Sequence, residues 1–516
     1  MQIDYNISDI KDGLNDCLPL VQSPFMKSLE LAIRRSIEKL DEPMQLAIIG
    51  KISSSKSTLV NAILGKDELM STGQKEVTYN VGWLKYGKSD SDIVIHYKDN
   101  RPPNKRSRKE FDRFSVEGDY ADIDNISYIE TFDDSEILKD INIIDTPGLD
   151  AKREKDSQNT LDFISKVRPD AVVMLFTHAV AENVLDVVSQ FNAGASFNPL
   201  NAIGILSKID VLWQETIPRD KSALMIGKKM VANRKKKDAM LSKTLFDLYP
   251  ISALLFLAST TVNEQDVENI NKAYNNDSAA FGKSLNSMPK YLGEESTPLN
   301  ETERMNLVNK MGLYGIWLIV QRLKNGESTS VGDIKSLFLT ESGADDFKKS
   351  LYNHFGSRAK LIKIESVYQH LNQEINKIRA KVKTLDESSL LANIEQKISD
   401  VFSSLVHEHK EYNILNKIYA GELLLDDEVV DEFKNICGEH GNSAPQKLGL
   451  PSGTEMHELL SQALTKERYW RREVALEPDP EEREWMNVIL KSYANLRQRI
   501  SVMIYQYEQA KSFLLN

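Results

Sequence analysis

The chain has 516 residues, of which 41% are hydrophobic and 27% are charged, and its formal net charge is −11. This length allows two or three hydrophobic cores, and the acidic balance argues against nucleic-acid binding and against broad attraction to anionic lipids. The two cysteines, Cys17 and Cys437, are too far apart in sequence to suggest a disulfide framework. With no signal-peptide pattern and no apolar run long enough to span a membrane, we expect a cytoplasmic protein.

The first predicted element is an amphipathic helix over residues 24–41. Its apolar stripe consists of Phe25, Leu29, Ile33, Ile37 and Leu40. The helix precedes the first strand of an α/β pattern and has no place within that pattern. We therefore expect residues 1–42 to pack elsewhere, together with helices from the C-terminal part of the chain.

A phosphate-binding loop is predicted after the first strand. An apolar run over 45–49 leads into Gly50-Lys51-Ile52-Ser53-Ser54-Ser55-Lys56-Ser57-Thr58, and a helical pattern follows. In this context backbone N–H groups and the helix N-terminus face phosphates, Lys56 would reach the β- and γ-phosphates, and Ser57 would hold Mg²⁺. The usual pattern has a second glycine where this chain has Ser55, so a serine-rich turn that only caps a helix is the alternative. The predicted nucleotide-binding residues here are Gly50, Ser54, Ser55, Lys56, Ser57 and Thr58.

A second motif follows the buried-strand pattern at 141–144. Asp145 comes at the end of this strand and is followed by Thr146-Pro147-Gly148. A carboxylate there suits a Mg²⁺ site, and Gly148 can donate its N–H to a γ-phosphate because no side chain blocks the approach. An ordinary turn is the alternative interpretation.

A base-recognition motif follows the strand at 201–206. Asp210, in Ser207-Lys208-Ile209-Asp210, can accept two hydrogen bonds from a guanine edge, which adenine cannot supply. The Lys208 stem can lie along the base. Two weaker elements complete the set: Thr78 lies where a Mg²⁺-sensing threonine belongs, and Ser252-Ala253 could support the guanine from behind.

The order and spacing of these motifs resemble the GTPase domain of the dynamin superfamily, in particular its bacterial members. The resemblance covers about residues 44–260 and implies bound GTP or GDP with Mg²⁺. It implies metal contacts from Ser57, Thr78 and Asp145, and catalytic roles for Ser53, Lys56, Thr78 and Gly148. Ser53 would help to position a charge-compensating cation and the attacking water. Ile52 stands where eukaryotic dynamins carry Gln, so that role is absent.

The predicted fold is an α/β P-loop GTPase domain, with a mainly parallel sheet and helices on both faces, plus an all-α helical bundle. The GTPase domain is assigned to residues 43–342, with a polar insert near 263–304. After Ser342-Gly343 apolar residues recur at four-three spacing, which predicts a bundle over 343–516 that residues 1–42 join. Its three predicted long helices carry apolar stripes over 364–385, 394–415 and 489–507.

The leading hypothesis is a dynamin-like GTPase that hydrolyses GTP to GDP and couples nucleotide state to the bundle. A G-domain homodimer, or a hetero-oligomer with a related dynamin-like protein, would form across the nucleotide face. Membrane association is expected to be weak and confined to the bundle tip or the basic loop at 99–113. The alternative is a degenerate scaffold with little turnover, since strain of roughly 1–3 kcal/mol at Ser55 would weaken binding roughly five- to 150-fold. An ATPase is the third interpretation.

Overall fold

The computed structural model describes residues 7–51, 53–67, 69–70, 80–99, 101–115, 123–148, 167–177, 199–216, 221–293, 297–356, 358–402 and 406–515. The chain divides into two compact units. One is formed by Gln45–Leu351, and the other combines Met1–Met44 with Tyr352–Asn516. Residues 343–351, which the sequence pattern assigns to the bundle, therefore lie in the first unit.

The first unit contains a sheet of nine strands in the order β4-β3-β5-β2-β6-β1-β7-β8-β9. The strands are β1 (Met44–Gly50), β2 (Val81–Tyr86), β3 (Ile93–Tyr97), β4 (Asn104–Arg106), β5 (Ile126–Asp133), β6 (Ile141–Asp145), β7 (Ala171–Phe176), β8 (Ala202–Ser207) and β9 (Leu248–Ile251). Strands β1, β7, β8 and β9 pair in parallel, as do β2 and β5, whereas β2–β6, β3–β4 and β3–β5 are antiparallel. Every residue of β1, β6, β7 and β8 is buried, as expected for strands that are covered on both faces.

Fourteen α-helices are described between residues 7 and 350. The first two belong to the second, helical unit, and the other twelve belong to the first unit. The helices up to residue 350 are α1 (Ile7–Cys17), α2 (Lys27–Asp41), α3 (Lys56–Leu64), α4 (Phe111–Ser115), α5 (Ile209–Glu215), α6 (Ala223–Lys237), α7 (Ala239–Thr244), α8 (Ala253–Thr261), α9 (Glu264–Asn276), α10 (Ser278–Ser284), α11 (Met288–Leu292), α12 (Glu301–Lys324), α13 (Val331–Glu341) and α14 (Ala344–Ser350). Helix α12 is interrupted at Gly312, whose φ of 65° is not helical.

The segment predicted as a polar insert near 263–304 is helical over most of its described residues, because α9, α10, α11 and the start of α12 lie in it. Two of its asparagines begin helices: Asn263 and Asn300 each form a capping box with the residue three positions later. The few apolar residues are spaced so that they reach the main core of the unit. Those buried there are Val267, Ile270, Ala273, Phe281, Leu285, Tyr291 and Leu299.

The second unit is helical and draws on both ends of the chain. Its C-terminal helices are α15 (Ala359–Arg379), α16 (Leu385–Val401), α17 (Val406–Tyr419), α18 (Asp427–Ile436), α19 (Ala444–Lys447), α20 (Met456–Leu476) and α21 (Pro480–Leu515). Helices α1, α2, α15 and α16 share one core, which includes Leu14, Ile33, Leu371 and Ile394. The buried Lys363 donates to the carbonyl oxygens of Leu40 (2.9 Å) and Glu42, and so caps the C-terminal end of α2.

The helix boundaries in this unit differ from the expected ones. The stripe over 364–385 is not one helix, because α15 ends at Arg379 and α16 begins after Thr384, whose hydroxyl and Glu387 form a capping box. The stripe over 394–415 is divided between α16 and α17. Helix α21 contains the third stripe, with Ile489 and Tyr493 buried, but Met503 and Tyr507 are exposed. A separate contact joins α20 to α18, where Trp470 Nε1 donates to Glu432 at 2.8 Å.

Candidate nucleotide-binding site

The phosphate-binding loop connects β1 to α3 with little free space. A Cβ on Gly50 would lie 2.8 Å from the Leu175 carbonyl oxygen and 2.8 Å from Ser54 Oγ, so only glycine fits this position. Ser54 is buried, and its hydroxyl has no hydrogen-bond partner within the described part of the chain. Ser53 is exposed, and Thr58 is half-buried on the first turn of α3. The loop therefore places polar side chains next to the N-terminus of α3. A helix N-terminus flanked by polar groups is an arrangement that suits a bound anion.

Ser55 adopts a left-handed backbone, with φ 69° and ψ 32°, immediately before α3. This conformation costs a residue with a Cβ about 1–2 kcal/mol, whereas glycine adopts it freely. The serine thus occupies a conformation that favours the glycine of the usual motif.

Lys56 is buried at the start of α3, and its ammonium group donates to the carbonyl oxygens of Gly50 at 3.2 Å and Lys51 at 3.1 Å. Burial lowers the pKa of Lys56 to about 8, and the nearby Asp145 carboxylate opposes this shift. A buried cation that donates to neutral carbonyl groups is well placed to gain from a bound phosphate.

Asp145 joins the loop from the end of β6. Its Oδ2 accepts a 2.6 Å hydrogen bond from Ser57 Oγ, while its buried Oδ1 has no hydrogen-bond partner among the described residues. Burial raises the pKa of Asp145 to about 6, against the effects of Ser57 and Lys56. A free carboxylate oxygen beside a serine hydroxyl fits the oxygen ligands that Mg²⁺ prefers. Thr146 Oγ1 donates to the Ile48 carbonyl at 2.8 Å and holds this strand end against β1, and Gly148 is buried.

The base-recognition motif forms a second cluster at the ends of β8 and β9. Ser207 is buried and donates from its hydroxyl to the Phe176 carbonyl at 3.2 Å, and Lys208 turns the chain with a left-handed φ of 60°. Burial raises the pKa of Asp210, although a hydrogen bond with the Ser252 side chain opposes the shift. Ser252 also caps α8 through Leu255 N, and Ala253 is buried beside it.

The structure thus brings the predicted residues into two groups, one at Lys56, Ser57 and Asp145 and one at Asp210 and Ser252. Because β1, β7, β8 and β9 are parallel, the loops after β1, β8 and β9 lie at the same edge of the sheet. Thr78 and Ile52 lie outside the described residues. No cluster of three or more His, Cys, Asp or Glu residues suited to a metal occurs in the described ranges, so a metal site would depend on Ser57 and Asp145.

Comparison with known proteins identifies the family. The dynamin family model matches residues 46–209. The chain is 25% identical over 452 residues to isoniazid-induced protein IniC of Mycobacterium tuberculosis, covering 85% of this chain and 86% of that protein. It is 23% identical over 482 residues to dynamin-like protein 2 of Campylobacter jejuni, covering 84% and 74%. Residues 46–209 are thus similar to the dynamin family, and the relatives over most of the chain are dynamin-like. A solved structure of an oligomerised bacterial dynamin pair aligns over 98% of this chain and 92% of that chain, with a TM-score of 0.35 and 14% identity.

These similarities confirm the predicted resemblance to the dynamin superfamily and, with the mainly parallel sheet and the helical C-terminal region, the predicted fold class. The chain therefore contains a dynamin-like GTPase domain, and the family of this domain binds guanine nucleotides. Among the helices of the dynamin-like chain that the model describes, none is long and apolar enough to cross a membrane.

Two contributors to the site were not predicted. The Thr146 hydroxyl fixes the end of β6, and the Ser342 carbonyl accepts a 2.9 Å hydrogen bond from Ser252 N. The position of Thr146 next to Asp145 in the sequence could have suggested this role. The Ser342 contact carries no sequence signal, because a backbone carbonyl forms it between residues 90 positions apart, and the pattern marks Ser342-Gly343 only as a domain boundary.

Proposed function

We propose that this dynamin-like protein binds GTP with Mg²⁺ at the phosphate-binding loop and hydrolyses it to GDP and phosphate. The observation that carries the proposal is the group of buried Lys56, half-buried Ser57 and buried Asp145, in which one carboxylate oxygen has no hydrogen bond among the described residues. Such an arrangement is costly for the free protein and becomes favourable when a triphosphate and a divalent cation are bound.

Each residue of the proposed site has a distinct task. Lys56 would move its donors from the loop carbonyls to the β- and γ-phosphates, and Gly148 would donate its backbone N–H to the γ-phosphate. Ser57 and Asp145 would hold Mg²⁺. The bound ion would neutralise negative charge on the phosphates. Ser53 and Thr78 would orient the attacking water, following the resemblance to the family.

Selectivity for guanine would come from Asp210. Its burial, which raises the pKa of the carboxyl group, strengthens hydrogen bonds to the N1–H and 2-amino groups of the base. Competition between GTP and ATP distinguishes this proposal from an ATPase, because only guanine offers both donors.

The wider activity is also a proposal. The protein would dimerise through its G domain with a second copy or with a related dynamin-like protein, and would transmit nucleotide state to its helical unit. Contact with membranes would be weak. The second candidate, a nucleotide-sensing scaffold with little turnover that recruits a partner protein, is favoured by the left-handed Ser55.

The test compares Lys56→Met with the parent protein in GTP binding and phosphate release. The methionine preserves the buried volume but removes the cation, so we expect GTP affinity to fall roughly ten- to 150-fold and turnover to be lost. Lys243→Ala, on the exposed surface of α7, is the control and should behave as the parent. Unchanged GTP affinity in Lys56→Met would refute the phosphate-site assignment, whereas tight GTP binding without turnover in the parent would favour the scaffold.

A further inference from the structure

A buried glycine, Gly227, lies in the interior of α6. Glycine is an unfavourable residue in a helix interior, because it loses more backbone freedom on folding than residues that carry a side chain. A Cβ at this position would lie 2.7 Å from Pro250 Cβ and 3.0 Å from Ile209 Cγ2. The first distance is well inside van der Waals contact between carbon atoms, so packing against these two residues requires the glycine.

These two contacts place α6 directly on both segments of the base-recognition cluster. Ile209 is the first residue of α5 and immediately precedes Asp210, and Pro250 lies in β9 two residues before Ser252. Ile209 and Pro250 are both buried. The missing side chain at position 227 therefore lets α6 approach the two segments that would hold the guanine base.

Helix α5 is held from another side by α12. Trp213 of α5 is fully buried, and its ring centre lies 5.3 Å from that of Tyr314 and 4.9 Å from that of Trp317. Because α5 has only seven residues, Asp210 and Trp213 belong to the same two helical turns and move together. The close packing of these rings leaves α5 no space to move toward α12.

Helix α6 is anchored to the same aromatic residues, so it cannot simply retreat. The Tyr314 hydroxyl accepts a 3.0 Å hydrogen bond from Ala223 N and donates to Glu341 Oε2 at 2.7 Å. Ala223 is the first residue of α6 and lies about one turn before Gly227. A side chain at position 227 would therefore displace the residues that it meets in α5 and β9.

We propose that Gly227 is a positioning residue for guanine selectivity, because its lack of a side chain allows α6 to hold α5, and with it Asp210, in place. The inference rests on the proposed function, in which Asp210 reads the guanine edge. In Gly227→Ala the added methyl group pushes Ile209 away from α6, and Asp210 shifts with it because the two are neighbours in one helical turn. Two hydrogen bonds from one base edge tolerate such a shift poorly, since both donors must remain aligned with one carboxylate.

The test measures the affinities of the full-length protein for GTP and for inosine triphosphate, with Mg²⁺, in the parent and in Gly227→Ala. Inosine keeps N1–H but lacks the 2-amino group, so the ratio of the two affinities reports on the second hydrogen bond to Asp210. We expect the parent to prefer GTP roughly ten- to 150-fold. In Gly227→Ala, GTP affinity should fall about tenfold and inosine triphosphate affinity much less, so that the ratio drops roughly three- to tenfold.

Gly282→Ala is the matched control. Gly282 lies within α10 of the same unit, and the nearest atom to a Cβ there would be Lys324 Nζ at 3.7 Å, which is an ordinary contact distance. This variant makes the same change in a helix without the steric conflict. It should keep the parental ratio.

Trp213→Phe is a second variant, which serves if Gly227→Ala does not fold. The smaller ring leaves space on the side of α5 that faces Tyr314 and Trp317, so α5 can shift toward α12. Asp210 moves with the helix, and the ratio should fall roughly two- to threefold.

The outcomes separate the two proposals. A parent that binds neither nucleotide refutes the proposed function, and a parent that binds both equally refutes the reading of guanine by Asp210. If the parent prefers GTP but Gly227→Ala weakens both nucleotides equally or keeps the parental ratio, Gly227 is merely structural and the inference is overturned. The inference is also overturned if Gly227→Ala does not fold and Trp213→Phe keeps the parental ratio.

Discussion

Left-handed backbone at non-glycine residues is concentrated in the proposed site. Ser53, Ser55 and Lys208 have positive φ, and Arg168 is the fourth such residue in the described part of the chain. Each costs the folded protein about 1–2 kcal/mol. Strain of this kind persists where the surrounding structure determines the conformation, which is typical of ligand-binding loops.

The backbone of Ser55 changes what we expect from Ser55→Gly. The sequence alone suggests weaker nucleotide binding, but the strain in the structure lies in the left-handed backbone of Ser55 itself. We therefore expect relief of this strain to stabilise the free and the bound protein alike. We predict a gain of about 1 kcal/mol in the free energy of unfolding of the nucleotide-free protein, after the larger entropy of glycine in the unfolded chain is subtracted.

Denaturant unfolding and GTP titration of Ser55→Gly measure the two effects separately. The gain in the free energy of GTP binding should be smaller than the gain in the free energy of unfolding. Strain relief affects free and bound protein equally, so binding gains only from removal of the hydroxymethyl group that crowds the phosphate. A large gain in affinity with no gain in stability would mean that the strain arises on binding. The scaffold hypothesis would then keep its support.

Asp145 should have opposite effects on stability and on binding. Because burial raises its pKa from 3.8 to about 6, the native state binds more protons than the unfolded state between these values. The stability that this group contributes therefore falls as the pH rises from about 4 to about 6. Asp145→Asn removes this cost, and we predict that the nucleotide-free variant is more stable at pH 7 by on the order of 1–2 kcal/mol, while Mg²⁺-dependent GTP binding is lost.

Asp133 provides the contrasting control. It is equally buried, but hydrogen bonds from Lys66 (2.6 Å) and Ser135 overcome the effect of burial and lower its pKa. Asp133→Asn should therefore destabilise the protein at pH 7. Urea unfolding at pH 4 and pH 7 gives the comparison, and a stability difference between Asp145→Asn and the parent that does not change with pH would contradict the prediction.

At the scale of elements, the helices and strands that a local sequence pattern marks were predictable. The buried run before Gly50, the run before Asp145 and the run before Ser207 each indicated a strand, and each is one. The segment 263–304 was not, because asparagine favours loops and helix starts equally, and the choice depends on whether Val267 and Tyr291 find a core. The division of the stripe at Thr384 was missed since the four-three spacing continues through the break.

The N-caps of this segment can be tested directly. Asn300 accepts from Glu303 N at 2.9 Å and begins α12, whereas Ser287 begins α11 with no side-chain hydrogen bond to the helix. We predict that Asn300→Ala lowers the free energy of unfolding by about 1 kcal/mol and that Ser287→Ala changes it little. Urea denaturation of both variants tests this prediction. If the two substitutions change the free energy of unfolding equally, the capping box contributes nothing beyond the helix propensity of the new residue.

On the scale of the whole molecule, the unit formed by residues 45–351 has its own core and contains every residue of the proposed site. We predict that this fragment, expressed alone, folds cooperatively and binds GTP, and that its Lys56→Met variant folds but does not bind. Thermal unfolding with and without GTP provides the measurement. A fragment that aggregates, or that shows no GTP-dependent shift, would mean that the rest of the chain is needed for the site.

The helical unit has the opposite property, because its core combines Leu14, Leu29 and Ile33 with Ile364 and Ile394, which come from the far side of residues 45–351. During synthesis, α1 and α2 emerge before that segment and can pack only on each other until it has been translated, which takes roughly 15–60 s at ordinary elongation rates. Their native contacts with α15 and α16 are missing throughout this interval. Helices α1 and α2 are thus among the last elements to reach their final packing, and they are a natural substrate for chaperones that bind ribosome-bound polypeptides.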